Sequence, residues 1–374
     1  MKIMIVFGTR PEAIKIAPVI LALRRMTDFS VQVCFTGQHR DMAMPIMELF
    51  EIEPDLKLAI TNRSLCDSVA EIMQQLDVLF CQEKPDLLLV QGDTNSVLAA
   101  ALAAFYHRIP IGHIEAGLRT FQKFLPYPEE MNRLLTTRLA DLHFAPTQQA
   151  KENLLHEGVK EENIFVTGNT VIDALHLMLK KIDCASGNGG ILQRFFPFLQ
   201  PSRKLLLLTG HRRENQGEGL VEICNTLRRI ALLRNDVQIV YPVHPSPQVR
   251  DTVLPLLQNT ANIHLTAPLD YLRFIQLLHQ SYCVLTDSGG VQEEAAALGK
   301  PIILLRETTE RPEIAQMTRV ITTGTDGSRI LNAVLQLLDI PVQTEICYNP
   351  ALGKGDAAEH IVHAIMERFR REDK

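Results

Sequence analysis

Acidic side chains follow short apolar runs in the first half of this chain. Asp93 and Glu115 each come just after such a run, and Glu129 follows a Pro-Tyr-Pro break. Carboxylates whose pKa values are separated by burial and mutual repulsion can serve as general acid and general base. Each carboxylate alone also suits a surface or capping role, and Glu129 suits the first turn of a helix. The three carboxylates are candidate acid–base groups, and they can act together only if the fold brings them close to one another.

A different chemistry is indicated by Ser288-Gly289-Gly290, which separates an apolar run from a helical one. Glycines allow close approach of the backbone, and the unpaired N–H groups of a helix start bind anions, most often phosphate. Ser288 suits the N-cap, and Glu294, within the first two turns, can bind ribose hydroxyls. His211 follows another apolar run and suits either a catalytic or a structural role. The second half therefore predicts a phosphate site, with an ordinary strand-to-helix turn as the alternative.

Two cations, Arg10 and Lys15, stand near the start of the first predicted helix, where they can meet a diphosphate or be solvated. The turn before that helix is Gly8-Thr9-Arg10-Pro11, which is not the G-x-G-x-x-G dinucleotide fingerprint, and the sequence has no Walker A motif. A proline in the turn also removes an N–H that a pyrophosphate would need. No clustered metal-ligand motif occurs either. We therefore expect no cofactor and no metal.

Composition narrows the class of protein. The chain has 374 residues, 46% of them hydrophobic and 22% charged, with a net charge of −5, and this length favours two domains. The excess of acidic over basic residues argues against a nucleic-acid-binding protein, which needs a basic surface. The seven cysteines form no C-x-x-C pair, which is typical of reduced thiols in a cytoplasmic protein. The apolar runs are too short for a signal peptide or a membrane span.

Strand-like runs alternate with helical runs along the chain, which predicts an α/β fold with parallel sheets. Ligands bind at the carboxyl ends of the strands in such sheets, and there the sequence places Arg10, Gln38, Asp93 and Glu115. A glycine- and proline-containing stretch then predicts a linker. The predicted boundaries are a first domain at 1–182, joined by a C-terminal helix at 356–372, a linker at 183–202 and a second domain at 203–355. Two doubly wound, Rossmann-like domains would face a cleft that holds the substrate.

Several blocks of the chain resemble the signature blocks of the non-hydrolysing UDP-N-acetylglucosamine 2-epimerases. They run in the family's order and cover nearly the whole chain: residues 7–15, 92–94, 113–119, 128–130, 209–214, 287–294 and 308–313. The resemblance implies the B-type glycosyltransferase fold and the interconversion of UDP-GlcNAc and UDP-ManNAc without NAD or metal. It also implies elimination of UDP to 2-acetamidoglucal, followed by re-addition of UDP.

The resemblance assigns residues by motif. It implies a catalytic set of Asp93, Glu115, Glu129 and His211. It implies substrate contacts from Arg10, Lys15, Phe274, Ser288, Gly289, Gly290, Glu294 and Arg311. Phe274 would stack on uracil, although its helical context alone favours a core role. The expected partners are UDP-GlcNAc, UDP-ManNAc and a second copy of the chain in a homodimer, with no nucleic acid and no membrane.

The chain also departs from the family's pattern. Gln91 stands where many members have histidine, Leu269 stands where glutamine is common near the uracil, and Met44-Pro45 alter the second helix. Many bacterial members bind a second, activating UDP-GlcNAc through a Gln-His-Arg block and an arginine on the following helix. Gln38, His39 and Arg40 are present here, but Glu71 occupies the arginine position unless that helix has shifted register. We therefore expect weak activation or none.

Other functions fit the same residues less well. A glycosyltransferase of the same fold would have an acceptor pocket and no need for Glu115 and Glu129 together. A hydrolysing epimerase would release free ManNAc, but such enzymes diverge at the block that begins with Gly8 and ends with Glu12. A nucleotide-sugar sensor without catalysis would have no use for the carboxylate set.

Overall fold

The computed structural model describes residues 1–61, 64–185, 194–210, 215–307, 314, 319–339 and 353–372. The chain divides into two compact units. The first consists of Met1–Leu177 with Ala351–Lys374, and the second is Met178–Pro350. This division falls inside the helix Thr170–Ala185, shortly before the boundary that the sequence predicts at residue 182.

A parallel sheet forms the centre of the first unit. Its strands are β1 (Lys2–Phe7), β2 (Ser30–Phe35), β3 (Leu56–Lys57), β4 (Leu87–Gln91), β5 (Ile111–Ile114), β6 (Leu142–Ala145) and β7 (Ile164–Val166). They lie in the order β3-β2-β1-β4-β5-β6-β7, and every neighbouring pair is parallel. The strand order therefore reverses between β1 and β4. Ligands of such sheets bind at this switch point, outside the carboxyl ends of the strands.

Helices cover this sheet. They are α1 (Arg10–Arg24), α2 (Arg40–Leu49), α3 (Leu65–Glu83), α4 (Asn95–Tyr106), α5 (Glu129–Leu139), α6 (Gln148–His156), a short 3₁₀ turn (Glu161–Asn163) and α7 (Thr170–Ala185). The alanine-rich α4 buries Ala99, Ala100 and Ala103, because small side chains let a helix lie close to a sheet. The C-terminal helix α13 (Ala357–Glu372) packs against α1, so the last segment of the chain belongs to the first unit.

The second unit repeats the same plan. Its strands are β8 (Lys204–Thr209), β9 (Val237–Pro242), β10 (Ile263–Thr266), β11 (Cys283–Thr286), β12 (Ile302–Leu304) and β13 (Val320–Thr322). Its helices are α8 (Glu218–Leu233), α9 (Pro247–Leu257), α10 (Tyr271–Gln280), α11 (Gly289–Ala297) and α12 (Gly327–Leu338). The parallel order β10-β9-β8-β11-β12-β13 places the switch point between β8 and β11.

The predicted fold class is confirmed, because both units are doubly wound parallel sheets with helices. Strands β4 and β11, next to the two switch points, are buried along their whole length and mostly apolar, as parallel strands covered on both sides require. Among the described residues, no helix is long and apolar enough to cross a membrane. The fold thus presents two strand-end edges, one in each unit, at which the candidate residues can be sought.

Candidate active site

Glu115 is the first residue after β5, and two other side chains of the first unit hold it. The Lys15 ammonium donates to both carboxylate oxygens, at 2.6 and 2.7 Å. Gln91, the last residue of β4, donates from Nε2 to Glu115 Oε2. The backbone of Glu115 has φ of +66°, a left-handed conformation that is uncommon for residues other than glycine. The contacts from Lys15 and Gln91 hold the Glu115 carboxylate in place, and uncommon backbone conformations of this kind are found at functional sites.

Asp93 lies in the turn after β4, beside Glu115's strand, and α5 holds it from one side. The Arg133 guanidinium contacts Asp93 Oδ2 from Nε at 2.9 Å and from a terminal nitrogen at 2.7 Å. The same guanidinium donates to the buried Glu130 at 3.1 Å. Asn132 donates from its side chain to the backbone oxygen of Asp93 at 2.9 Å. Both the carboxylate and the backbone of Asp93 are therefore positioned by α5.

Glu12 lies in the first turn of α1, and its side chain is almost completely buried, at 2% exposure. One carboxylate oxygen accepts from the backbone N–H groups of Gly8 and Thr9, both at 2.7 Å. The other oxygen accepts from the hydroxyl of Thr94 at 2.5 Å. Burial raises the pKa of Glu12 to about 7, although all of these hydrogen bonds oppose that rise. The carboxylate connects the turn after β1 with the turn after β4.

Arg10 and Glu129 occupy equivalent local positions, since each is the first residue of a helix. Arg10 begins α1 and Glu129 begins α5, and both are half-buried. The prediction that Glu129 lies in the first turn of a helix is confirmed. The carboxyl ends of β4 and β5 thus bring Asp93 and Glu115 to one edge, with Lys15 beside Glu115.

The glycine turn of the second unit joins β11 to α11, as the sequence predicts, and the strand order places it at the switch point of this unit. Helix α11 begins at Gly289, with Ser288 at the N-cap position, but the Ser288 side chain makes no capping hydrogen bond. Its backbone N–H instead donates to the hydroxyl of Thr286, at 3.0 Å. A Cβ at Gly290 would meet no described atom within 4 Å. The described residues thus leave space beside Gly290 at this helix start, as close approach of an anion requires.

The other candidate site residues of the second unit lie on different elements. Phe274 is half-buried on α10, and Glu294 is buried on α11. Leu269, at the position where the family often has glutamine, is half-buried just before α10. His211 and Arg311 lie outside the described residues.

A buried hydrogen-bond network fixes the two described residues that flank 211–214. The hydroxyl of Tyr241 donates to the backbone oxygen of Gly210 at 3.0 Å. The side chain of Asn215 donates to Asp287 Oδ2 at 3.1 Å and to the backbone oxygen of Leu305 at 3.0 Å. Asp287 directly precedes the glycine turn. The contacts therefore link the turn after β8 to the turn after β11.

The residues predicted to form a regulatory site lie near β2 and α3. Gln38 accepts a hydrogen bond from the Ser96 hydroxyl at 2.8 Å, and His39 and Arg40 are exposed at the start of α2. The Glu71 carboxylate accepts from both the backbone N–H and the hydroxyl of Thr61, each at 2.6 Å. Glu71 thus anchors the segment before α3.

Sequence reasoning missed the side chains that support the candidate residues. Glu12, Gln91, Glu130 and Arg133 received no role, and neither did His113, whose Nε2 lies 2.7 Å from the backbone oxygen of Gly92. Burial lowers the pKa of His113 to about 4, so the neutral ring donates to that carbonyl. Gln91 was noticed only as a departure from the family's pattern, and both Gln91 and His113 stand out as polar residues within apolar strands. The i, i+3 spacing of Glu130 and Arg133 is a signal for a helical ion pair.

Comparison with known proteins agrees with this architecture. The family model of UDP-N-acetylglucosamine 2-epimerase matches residues 21–366. The UDP-N-acetylglucosamine 2-epimerase of Escherichia coli (strain K12) is 45% identical over 370 residues, which cover 98% of each chain.

The described part of the chain contains no group of three or more His, Cys, Asp or Glu side chains that could hold a metal ion.

Two solved structures extend the comparison. The UDP-GlcNAc 2-epimerase from Neisseria meningitidis bound to UDP-GlcNAc superposes with a TM-score of 0.91 at 43% identity, over 98% of this chain and all of that one. The enzyme from Methanocaldococcus jannaschii in complex with UDP-GlcNAc and UDP gives a TM-score of 0.83 at 34% identity, with the same coverage.

Proposed function

Because the chain belongs to the UDP-N-acetylglucosamine 2-epimerase family, we propose that it is a non-hydrolysing epimerase that interconverts UDP-GlcNAc and UDP-ManNAc. The observation that carries this proposal is the position of Glu115 at the strand edge of the first unit, ion-paired with Lys15 and next to Asp93. A carboxylate pair at such an edge can handle the protons of an epimerisation. The open helix start of the second unit supports a diphosphate substrate.

Departure of UDP leads the reaction. The proton at C2 of the sugar is not adjacent to a carbonyl group, so its direct removal is unfavourable. Breaking the C1–oxygen bond first transfers the bonding electrons to the β-phosphate and develops positive charge at C1. Loss of the C2 proton then gives 2-acetamidoglucal, and re-addition of UDP with protonation on the opposite face of C2 gives the epimer. Positively polarised groups aimed at the leaving phosphate lower the barrier to this step.

The first unit supplies the acid–base groups in this proposal. Asp93, Glu115 and Glu129 exchange protons with C2 and with the leaving oxygen, together with His211 of the second unit. The contacts from Lys15 and Arg133 support these roles because they hold Glu115 and Asp93 in place. Pre-organised groups avoid reorganisation during the reaction, which favours turnover.

Nucleotide binding is assigned to the second unit. Ser288, Gly289 and Gly290 receive the diphosphate at the start of α11, Phe274 stacks on uracil, and Glu294 binds the ribose. Arg10 and Lys15 of the first unit and Arg311 of the second are also substrate contacts in this proposal. The half-buried position of Phe274 supports stacking, since part of its ring remains accessible.

The competing functions differ in their products. A hydrolysing epimerase releases free ManNAc and UDP, and a glycosyltransferase consumes UDP-GlcNAc only when an acceptor is present. Proton NMR of UDP-GlcNAc with the purified protein in D2O distinguishes the non-hydrolysing epimerase from these two functions. We expect UDP-ManNAc to appear and deuterium to enter C2. Free ManNAc as the main product, or conversion without exchange at C2, contradicts the proposal.

We also propose that the protein is a homodimer and acts in the cytoplasm. Exposed apolar side chains on the neighbouring helices α3 and α4, namely Val78, Phe105 and Tyr106, support self-association. The free cysteines among the described residues suit a reducing compartment. Light scattering of the purified protein tests the dimer, and a monomeric mass at micromolar concentration would contradict it.

Regulation by UDP-GlcNAc is proposed to be weak. A second, activating nucleotide sugar would meet Gln38, His39 and Arg40, but Glu71 places a carboxylate at the position where many bacterial members have an arginine, unless α3 has shifted register. The two short hydrogen bonds from Thr61 support this assignment, because they commit Glu71 to the segment before α3. Loss of an Arg–phosphate contact weakens binding by about tenfold or more.

A further inference from the structure

We propose that Glu12 is a positioning residue, whose buried carboxylate joins the turn that carries Arg10 to the turn that carries Asp93. The inference rests on the proposed epimerase function, in which Arg10 meets the diphosphate and Asp93 handles protons. Glu12 itself touches no reacting atom in this scheme. It sets the distance between a substrate-binding turn and a proton-transfer turn across the switch point of the first unit.

The two oxygens of Glu12 serve different turns. Oε2 accepts from the N–H groups of Gly8 and Thr9, which lead directly into Arg10. Oε1 accepts from the hydroxyl of Thr94, which follows Asp93 and lies 82 positions away in sequence. The pairing of β1 with β4 brings the two turns near each other, and the carboxylate of Glu12 then joins them directly.

A purely local role does not account for this arrangement. In a capping box, a glutamate at the third helical position returns to the N-cap N–H, and one oxygen is enough for that bond. Such a side chain can remain partly solvated. Glu12 is instead buried, which destabilises its charged form, and its second oxygen is used for a contact outside its own helix. The additional contact is the feature that a positioning role explains.

The turn after β1 packs closely against the residues that follow β2 and β4. A Cβ at Gly8 would lie 2.2 Å from the side-chain oxygens of both Ser96 and Thr36. Those two hydroxyls are hydrogen-bonded to each other at 2.8 Å. Glycine is therefore required at residue 8 for the turn after β1 to approach the turns after β2 and β4. With no room to move sideways, a change at Glu12 would be transmitted to its neighbours.

Asp93 is positioned by two different elements. Asn132 and Arg133 of α5 contact its backbone oxygen and its carboxylate, whereas Glu12 acts through Thr94 from the side of β1. Loss of the Thr94 hydroxyl would leave Asp93 bound to α5 but no longer tied to the turn of Arg10. The expected consequence is an effect on turnover rather than on substrate binding, because the groups that bind the substrate remain.

Substitution of Thr94 tests the inference. We expect Thr94→Val to lower kcat by at least about tenfold while KM changes by less than about threefold, since a small misplacement of a catalytic group can cost up to about a hundredfold. Thr94→Ser keeps the hydroxyl and should retain most of the turnover. Glu12→Gln should also retain most of it, because the amide can accept from Gly8 and Thr9 and donate to Thr94. A proton-transfer role for Glu12 predicts a large loss for Glu12→Gln instead.

Thr147 provides a matched control in the same unit. It is the N-cap of α6, where its side chain accepts from the backbone N–H of Ala150 at 3.2 Å. Thr147→Val removes a threonine cap as Thr94→Val does, but it breaks no contact with a glutamate. Thr94→Val should lose more thermal stability than Thr147→Val, because it also leaves an oxygen of the buried Glu12 without its donor, and Thr147→Val should keep the kcat of the wild-type protein. If Thr94→Val does not fold, Thr94→Ala removes the same hydroxyl without branching at Cβ.

The possible results separate the inference from the function on which it rests. An active wild-type protein with an unchanged kcat in Thr94→Val and Thr94→Ala would overturn the inference alone. The same holds if Thr94→Ser fails to restore turnover, or if Thr147→Val loses as much kcat as Thr94→Val. A wild-type protein that makes no UDP-ManNAc would overturn the epimerase function and the role of Glu12 together.

Discussion

The Lys15 ammonium lies within 2.7 Å of both carboxylate oxygens of Glu115, although the two residues are 100 positions apart in sequence. Only about a tenth of each side chain is exposed. Removing one partner of a buried ion pair leaves the other charge without its counterion, and such changes cost about 3–5 kcal/mol. Replacing only one of the two residues should therefore destabilise the fold measurably, whatever the net contribution of the intact pair.

We predict that Lys15→Met lowers the free energy of unfolding by about 3 kcal/mol or more, measured by chemical denaturation. The double variant Lys15→Met/Glu115→Gln should recover part of this loss, because it removes the uncompensated charge. Equal losses in the single and double variants would show that the charge of Glu115 is not what the ammonium stabilises. Both variants should also lose epimerase activity.

We predict that Asp93→Asn, Glu115→Gln, Glu129→Gln and His211→Asn each lower kcat by at least about a hundredfold, the usual scale for an acid–base group. Steady-state kinetics measure the effect, and circular dichroism should show an intact fold, because the carboxylate-to-amide changes are nearly isosteric and asparagine keeps a polar side chain at residue 211. Asp77→Asn, on the exposed face of α3, serves as the control and should keep full turnover. A residue whose variant retains near-wild-type activity loses its catalytic assignment.

We predict that Ser288→Ala combined with Gly290→Val abolishes UDP binding in titration calorimetry. The valine side chain would occupy space at the helix start that a phosphate needs. The fold should tolerate the change, since a Cβ at Gly290 meets no described atom within 4 Å. Ser246→Ala removes a true helix cap from α9 in the same unit and should leave UDP affinity unchanged. Unchanged affinity in the double variant would refute the phosphate site.

The burial of Glu12 predicts a pH-dependent stability. Its pKa is about 7 in the folded protein against 4.5 for an ordinary glutamate, so between these values the folded state holds a proton that the unfolded state has lost. Relative to Glu12→Gln, the wild-type protein should therefore lose stability as pH rises from about 4.5 to about 7. The full difference is about 3 kcal/mol.

Urea unfolding of both proteins at pH 5 and pH 8 measures this difference. The exposed carboxylate of Glu53 provides a control, since Glu53→Gln should follow the pH dependence of the wild-type protein. A gap between wild type and Glu12→Gln that is independent of pH, or that grows in favour of the wild type at high pH, would show that Glu12 is already ionised at low pH in the folded state.

The last prediction concerns activation by UDP-GlcNAc. A reaction started from pure UDP-ManNAc should begin without a lag, because Glu71 offers a carboxylate in place of a cation to an activating diphosphate. Coupled or chromatographic assays of the first turnovers measure the onset. A complete block that traces of UDP-GlcNAc release would show that the activating site is intact and that another residue replaces the missing arginine.

The local elements and most candidate positions could be predicted from the sequence. A run such as Leu87–Val90 is apolar and is followed at once by Gln91-Gly92-Asp93, and the residues that end a strand and begin a helix are neighbours in the chain. Glu129 at the start of α5 is a similar case, because helix starts have short-range signals. Alternation of strands and helices then implied parallel sheets, and therefore a common edge for the strand ends.

The partners of these side chains depended on tertiary structure alone. Lys15 with Glu115, Glu12 with Thr94 and Arg133 with Asp93 are contacts between distant segments. They form because the strand order places β4 between β1 and β5, which no local pattern specifies. Burial is decided at the same level, since the raised pKa of Glu12 results from the elements packed around it and not from its neighbours in sequence.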